Sequence, residues 1–304
     1  MNLDNAPLRP VRPMTTPKPV EHVFWHGSIG GGRWADHVAA AEAGGFTGLS
    51  TNPSTILNEL EAGRSADGIV RLARDAGLSV HHFDIVTNWA VPSSPDDRPT
   101  SLARFDIPLD RCFEIIDALG LRTMNAIPAF HLSTMTTPQL VDCFGALCVR
   151  AASHGVWVDL EFMPFWGIPD LRTAWGIVEG ANQANSGILV DTWHFCRGDP
   201  DWGLLAAIPD EKIVSVQLAD GSASQVGPDL YADNKANRCF VGEGELPVGR
   251  VLAILAAKGC LQRVGPEIFS DRIATMDVAQ AGQHAARGSM LAVTEAGLAV
   301  QARQ

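Results

Sequence analysis

The chain has 304 residues, of which 46% are hydrophobic and 19% are charged, so it is long enough to bury a sizeable core. Its formal net charge of -11 at pH 7 argues against nucleic acid or anionic membrane surfaces as partners, because both require a basic surface. Its six cysteines form no CxxC pairs and no stretch approaches the length of a membrane span, so we expect a protein of the reducing cytoplasm.

The beginning of the chain contains repeated prolines and lacks the apolar core of a signal peptide, which indicates an extended N-terminal arm over residues 1–20. Residues 21–304 predict a single domain, in which helical patterns close on a glycine and an apolar strand follows. Glycine favours the left-handed conformation just past a helix, so each instance marks a helix stop and a strand start. The glycines of this pattern are Gly45, Gly77, Gly120, Gly155, Gly187 and Gly259.

Two further strands, at residues 22–26 and 213–218, bring the predicted number of strands to eight. Runs such as GILVD and KIVSVQL are continuously apolar, as are strands of a parallel sheet that is buried on both faces. Eight strand–helix units in about 280 residues predict an α/β fold, the single-domain (β/α)8 TIM barrel. A doubly wound sheet is the alternative, but the glycine-rich SIGGGRW segment lacks the GxGxxG spacing of its phosphate-binding turn.

Polar side chains stand at the ends of the last four predicted strands, and these ends meet at one mouth of a barrel. They are Glu161, Asp191, Gln217 and Glu267. Burying a carboxylate costs several kcal/mol unless a positive charge compensates it, and no lysine or arginine lies in these strand ends. We therefore predict that the four side chains bind one divalent cation. An all-oxygen ligand set favours Mn2+ or Mg2+, with Co2+ and Zn2+ as alternatives. The competing interpretation is a set of solvated acids at loop starts.

The segments that carry these residues resemble a known family. DLEFMPF, VDTWHFCRGD, VQLADG, RCFVGEGELPVG and GPEIFSD are similar to segments of the xylose isomerase-like TIM-barrel superfamily. That superfamily includes sugar epimerases, hydroxypyruvate isomerase, inosose dehydratase, 3-dehydroshikimate dehydratase and endonuclease IV. The resemblance implies the same four metal ligands. Many members have histidine in place of Gln217, but hydroxypyruvate isomerases and bacterial dehydroshikimate dehydratases include members with glutamine.

The chemistry that this ligand set implies is proton transfer beside a carbonyl group. A metal bound to a carbonyl oxygen and an adjacent hydroxyl stabilises the enediolate that forms when a C–H proton is removed. Glu161 and Glu267 would remove and return the proton. Our first interpretation is an isomerase or epimerase of a small keto-sugar or related hydroxy-carbonyl compound. The second is a dehydratase, a lyase, of a cyclic keto-polyol such as inosose or 3-dehydroshikimate. A non-catalytic small-molecule-binding barrel is the alternative from another class, and a homodimer is the default assembly.

Other polar and aromatic residues are candidates for contact with the substrate. His194 follows Asp191 in a DxxH pattern, and it would bond a substrate oxygen, shuttle a proton or orient a ligand. Arg238 precedes the GEG turn, where it would clamp a carboxylate or hydroxyls, or else pair with Glu243 or Glu245. The remaining candidates for substrate binding are Trp25, His26, Asn125 and Trp193, together with His81 and His82 at the end of the third predicted strand.

Overall fold

The computed structural model of the chain describes residues 18–303. The predicted N-terminal arm, residues 1–20, therefore lies almost entirely outside the described residues. Just before the first strand, the backbone N–H of Val20 donates to Ala299 O over 2.7 Å, and Val20 O accepts from Gln301 N over 2.9 Å. The two ends of the described chain thus pair with each other beside the barrel.

Eight parallel strands pair in chain order, and the eighth pairs with the first, so the sheet closes into a barrel. This confirms the (β/α)8 prediction. The strands are β1 (Glu21–Phe24), β2 (Gly48–Thr51), β3 (Ser79–Val86), β4 (Thr123–Ala126), β5 (Trp157–Glu161), β6 (Ser186–Asp191), β7 (Ser215–Leu218) and β8 (Arg263–Pro266). Most strand residues are buried, because side chains fill the barrel interior and helices cover its outside.

Helices connect the strands and cover the barrel. They are α1 (Trp34–Gly44), α2 (Pro53–Glu61), α3 (Ala66–Asp75), α4 (Leu109–Leu119), α5 (Thr137–Ser153), α6 (Leu171–Ala181), α7 (Thr192–Arg197), α8 (Trp202–Ala207), α9 (Leu230–Ala236), α10 (Val248–Lys258), α11 (Asp271–Ala274) and α12 (Val278–Glu295). The last helix packs against the first at Gly282, where a Cβ atom would lie only 2.0 Å from Ala40 O. Within residues 18–303, no helix has the length and apolar character needed to cross a bilayer.

Five of the six predicted glycine stops adopt the left-handed conformation, with φ between 68° and 73°. They are Gly45, Gly77, Gly120, Gly155 and Gly259. The sixth prediction is wrong in its detail, because Gly187 lies inside β6 and Asn182 occupies the left-handed position after α6, with φ of 46°. Close packing explains the glycine instead: a Cβ at Gly187 would lie 2.5 Å from Lys212 O and 2.7 Å from the ring of Trp157.

The amino-terminal end of the barrel has its own buried polar network. His82 Nε2 lies 2.8 Å from Glu21 Oε2, and Arg263 Nη2 donates to Asp159 Oδ2 over 3.1 Å. Burial would raise the pKa of Glu21, but the charge and hydrogen bond of His82 lower it to about 2. These ion pairs are satisfied within the barrel floor, at the end opposite to the mouth.

Candidate active site

A cavity of about 680 Å³ opens at the carboxyl ends of the strands. Glu161, His194 and Glu267 line its inner part, and His26 forms part of its wall. Its walls otherwise consist of the segments that follow the strands, as expected for the functional mouth of this fold.

The four predicted metal ligands converge at the base of this cavity, and each is at most 5% exposed. Asp191 and Gln217 are register partners on β6 and β7. With its NH2 group turned inward, the amide of Gln217 lies 3.3 Å from Glu161 Oε1 and 3.3 Å from Glu267 Oε2. The opposite amide orientation presents the carbonyl oxygen at the same place. One side-chain amide thus bridges two carboxylates.

Burial governs the electrostatics of these acids. It raises the pKa of Glu161 well above 4.5, and the charges of Asp191 and Asp84 raise that pKa further. Burial likewise raises the pKa of Glu267, with Asp84 and Glu161 adding to the effect. Burial would raise the pKa of Asp191 as well, but the charge of Arg238 and the hydrogen bond from the backbone N–H of His194 hold it below 3.8. The charge of Asp191 is therefore neutralised by a neighbouring arginine, whereas the charges of Glu161 and Glu267 are not.

Arg238 neutralises Asp191, and this role differs from both roles that the sequence predicted for the arginine. Its side chain is fully buried, so it does not clamp a substrate from the cavity wall. It pairs with neither Glu243 nor Glu245. Instead Nη1 donates to Asp191 Oδ2 over 2.7 Å, and Nε donates to Asn234 Oδ1 over 3.1 Å. A guanidinium can only donate, so these bonds fix the arginine as part of the protein interior.

His194 is held between Arg238 and Glu161. Asp191 Oδ1 accepts the backbone N–H of His194 over 2.9 Å, which starts α7 at this point. His194 Nε2 lies 3.1 Å from Arg238 Nη2 and must accept there, because the arginine only donates. Burial lowers the pKa of His194 to about 3, Asp191 opposes the shift and Arg238 adds to it. Both observations make His194 a neutral ring, and its role towards a substrate stays a prediction.

Two of the predicted substrate contacts lie near the cavity. His26 lines the wall, and its Nδ1 lies 3.3 Å from Asp84 Oδ2. Asn125 is buried behind the wall, where its Nδ2 donates to Asp84 Oδ1 over 2.9 Å and to Glu161 Oε2 over 2.6 Å. Asn125 therefore orients Glu161, and the prediction that it contacts substrate is replaced by this role.

The other four predicted contacts do not line the cavity. His81 is exposed, and the neighbouring His82 points into the barrel floor towards Glu21. Trp25 packs inside the barrel, with its ring centroid 5.6 Å from that of His82. Trp193 is fully buried and lies beneath the guanidinium of Arg238. Strand β3 continues to Val86, so the histidines lie at mid-strand instead of at the mouth.

The donor set fits a divalent cation. Among residues 18–303, neither Glu161 nor Glu267 forms an ion pair with a lysine or arginine, although both are buried. Ligand atoms of Glu161, Asp191 and His194 lie within 4.8 Å of one another, and the Gln217 amide bridges Glu161 and Glu267. Carboxylate oxygens that converge in greater number than the neighbouring positive side chains are typical of sites for Mn2+ or Mg2+.

Three residues that the structure brings to this end were not among the predicted site residues. Asp84 is a fully buried acid on β3, and its charge close to the two histidines of that strand was the available signal. Arg104 and Lys235 line the cavity rim and have no ion-pair partner among residues 18–303. Both lie on segments between strands, where no sequence periodicity indicates a position relative to the mouth.

The chain is thus a closed (β/α)8 barrel with a buried acidic cluster, a possible metal site, at its mouth. The profile of the xylose isomerase-like TIM barrel matches residues 38–290, and the chain belongs to that family. It is 28% identical over 216 residues to 3-dehydroshikimate dehydratase of Pseudomonas aeruginosa, a match that covers 70% of this chain and 32% of that protein. The chain spans about a third of the length of the curated relatives it matches.

Solved structures of similar barrels include the IOLI protein with a binding zinc atom, with a TM-score of 0.78 and 17% identity over 91% of this chain and 99% of that one. L-ribulose 3-epimerase is similar with a TM-score of 0.68 and 17% identity, over 91% of this chain and 96% of that one. At 17% identity, these similarities show only a shared fold.

Proposed function

We propose that the protein is a divalent-metal-dependent enzyme that removes a proton beside the carbonyl group of a hydroxylated substrate. Its preferred reaction would be dehydration of a cyclic keto-polyol carboxylate of the 3-dehydroshikimate type. The observation that carries the proposal is the convergence of Glu161, Asp191, Gln217 and Glu267 at the base of the cavity.

These four side chains would hold the cation, with Arg238 compensating one of the three carboxylates. When bound, the cation would supply a Lewis acid for the substrate's carbonyl and hydroxyl oxygens. Glu161 and Glu267 both line the cavity, and Gln217 lies between them. Two carboxylates on either side of a substrate suit removal of a proton at one position and its delivery to a departing hydroxyl at another.

The relatives and the cavity rim favour dehydration. The curated relatives are dehydratases whose substrate carries a carboxylate. Arg104 and Lys235 at the rim are cations with which such a group can pair. The likeness to an epimerase structure keeps isomerisation or epimerisation of a keto-sugar as the second candidate, because the same two carboxylates serve that reaction.

The test is metal analysis of the purified protein, followed by assays with Mn2+ in deuterated water. Substrates would be 3-dehydroshikimate, inososes and keto-sugars. Appearance of 3,4-dihydroxybenzoate from 3-dehydroshikimate supports the proposal, and deuterium in a rearranged keto-sugar supports the second candidate. Ligand binding without turnover by the metal-loaded protein would indicate a non-catalytic barrel. A protein that binds no metal would overturn the proposal.

A further inference from the structure

Asp84 is a buried carboxylate to which the proposed reaction gives no role. It lies on the inward face of β3, beyond His82 and towards the mouth, and it has no exposed surface. Among residues 18–303 it forms no ion pair with a lysine or arginine. Because an isolated buried carboxylate costs several kcal/mol, its contacts must be specific. They are made by His26 on one oxygen and Asn125 on the other.

The orientation of His26 is determined by the start of α2. Asn52 is the N-cap of that helix, and its Oδ1 accepts the backbone N–H groups of Ser54 and Thr55 over 3.0 and 3.2 Å. The cap turns the amide nitrogen of Asn52 towards His26 Nε2, at 2.9 Å. Since an amide nitrogen only donates, Nε2 accepts, and the proton of the neutral ring lies on Nδ1. The Nδ1–H group therefore lies on the Asp84 side of the ring, 3.3 Å from Asp84 Oδ2 but outside hydrogen-bond geometry.

Asn125 connects Asp84 to Glu161 by two hydrogen bonds. His26 Nδ1 lies 3.3 Å from Asp84 Oδ2, while Asp84 Oδ1 accepts from Asn125 Nδ2 over 2.9 Å. The same nitrogen donates to Glu161 Oε2 over 2.6 Å. Because its NH2 group donates to both carboxylates, Asn125 has one allowed orientation between Asp84 and Glu161. Glu161 Oε2 is occupied, which leaves Oε1 facing Gln217 and the cavity.

We propose that Asp84 is a positioning residue for Glu161, acting through Asn125. Asp84 keeps the NH2 group of Asn125 turned towards Glu161. Without that acceptor, the amide of Asn125 can turn its oxygen towards the carboxylate, which repels it. The inference rests on the proposed function, because Glu161 is one of the side chains that would hold the cation.

Atoms of His26, Asp84 and Glu267 lie within 4.8 Å of one another, which raises the alternative of a second cation site. The hydrogen-bond order argues against it. A metal at Nδ1 requires the proton on Nε2, where it would face the amide nitrogen of Asn52. The helix cap holds that nitrogen in place.

The experiment measures the affinity of metal-free protein for Mn2+ by titration calorimetry. Asp84→Ala removes the oxygen that accepts from Asn125, and it should weaken binding by about 10- to 100-fold, as loss of a group that orients a ligand does. With saturating Mn2+, its kcat should fall while KM changes little. Asp159→Ala is the matched control, because Asp159 is also buried but lies in the barrel floor, bonded to Arg263. The control should retain wild-type affinity.

A second variant covers a failure of Asp84→Ala to fold. Asn52→Ser keeps the helix cap and releases His26, so it should retain the melting temperature and weaken Mn2+ binding by a smaller factor. Wild-type affinity in either folded variant would overturn the inference and leave the proposed function intact. Absence of Mn2+ binding by the wild-type protein would overturn both.

Discussion

Arg238 Nη1 donates to Asp191 Oδ2 over 2.7 Å, and neither side chain has any exposed surface. The arginine comes from the segment after α9, and the aspartate ends β6. This contact gives the site an unequal charge distribution, in which Asp191 is compensated by the protein while Glu161 and Glu267 are not.

Replacing Arg238 with methionine should lower the free energy of unfolding of the metal-free protein by about 3–5 kcal/mol, because it leaves Asp191 buried without its partner. Urea denaturation with EDTA present measures the change. Arg272→Met is the control, since Arg272 pairs with Glu243 at an exposed position, and its loss should cost less than about 1 kcal/mol. Equal losses in the two variants would contradict the assignment of Arg238.

Glu267→Gln should reduce turnover of the metal-loaded enzyme by about 100-fold or more, because it removes one of the two proton-transfer groups. The same change should stabilise the metal-free protein near neutral pH, because burial disfavours the charge of Glu267. Kinetics with Mn2+ and thermal unfolding in EDTA test the two effects separately. An active variant would exclude Glu267 as an acid or base.

The stabilisation by metal should increase with pH. The pKa values of Glu161 and Glu267 are raised above 4.5, so the metal-free folded protein holds protons that the unfolded chain has already released. Its stability therefore falls as pH rises from 4.5 through these raised values. Metal binding requires the ionised carboxylates and displaces these protons.

Melting temperatures with Mn2+ and with EDTA should therefore differ more at about pH 8 than at about pH 6. The Glu267→Gln variant serves as the comparison, because it removes one of the two displaced protons. A difference that is the same at both pH values would show that the carboxyl groups are already ionised in the metal-free protein.

Arg104→Ala should weaken binding of 3,4-dihydroxybenzoate by about 10-fold while leaving catechol binding unchanged, because catechol lacks the carboxylate. Calorimetry with metal-loaded protein measures both affinities. Lys235→Ala provides the comparison for the other side of the rim. If both variants bind the two compounds as the wild type does, the rim cations do not select an anionic substrate.

The sequence predicted the acidic cluster but not the network around it. Glu161 and Asp191 end predicted strands, and the carboxyl ends of parallel strands meet at one mouth, so the topology alone brings them together. Arg238 reaches Asp191 from 47 residues away through a loop, and no periodicity predicts where a loop side chain points.

Strand boundaries account for the other errors. The prediction ended the third strand near His82, whereas β3 continues to Val86. Alternation places His82 and Asp84 on the same inward face, so the extra residues put Asp84 near the mouth and leave His82 in the floor. The ends of strands are hard to predict because pairing with a neighbouring strand, here β4, extends a strand beyond the residues whose sequence pattern indicates it.

Strand β6 passes directly into α7, since Asp191 is both the last residue of the strand and the N-cap of the helix. Asp191 and His194 therefore form one rigid unit, and an inserted residue at this junction would separate them. The connections over residues 25–33 and 87–108 are longer and contribute to the cavity rim. Evolution or engineering can exchange those connections to admit a different substrate, while the short junction preserves the reaction centre.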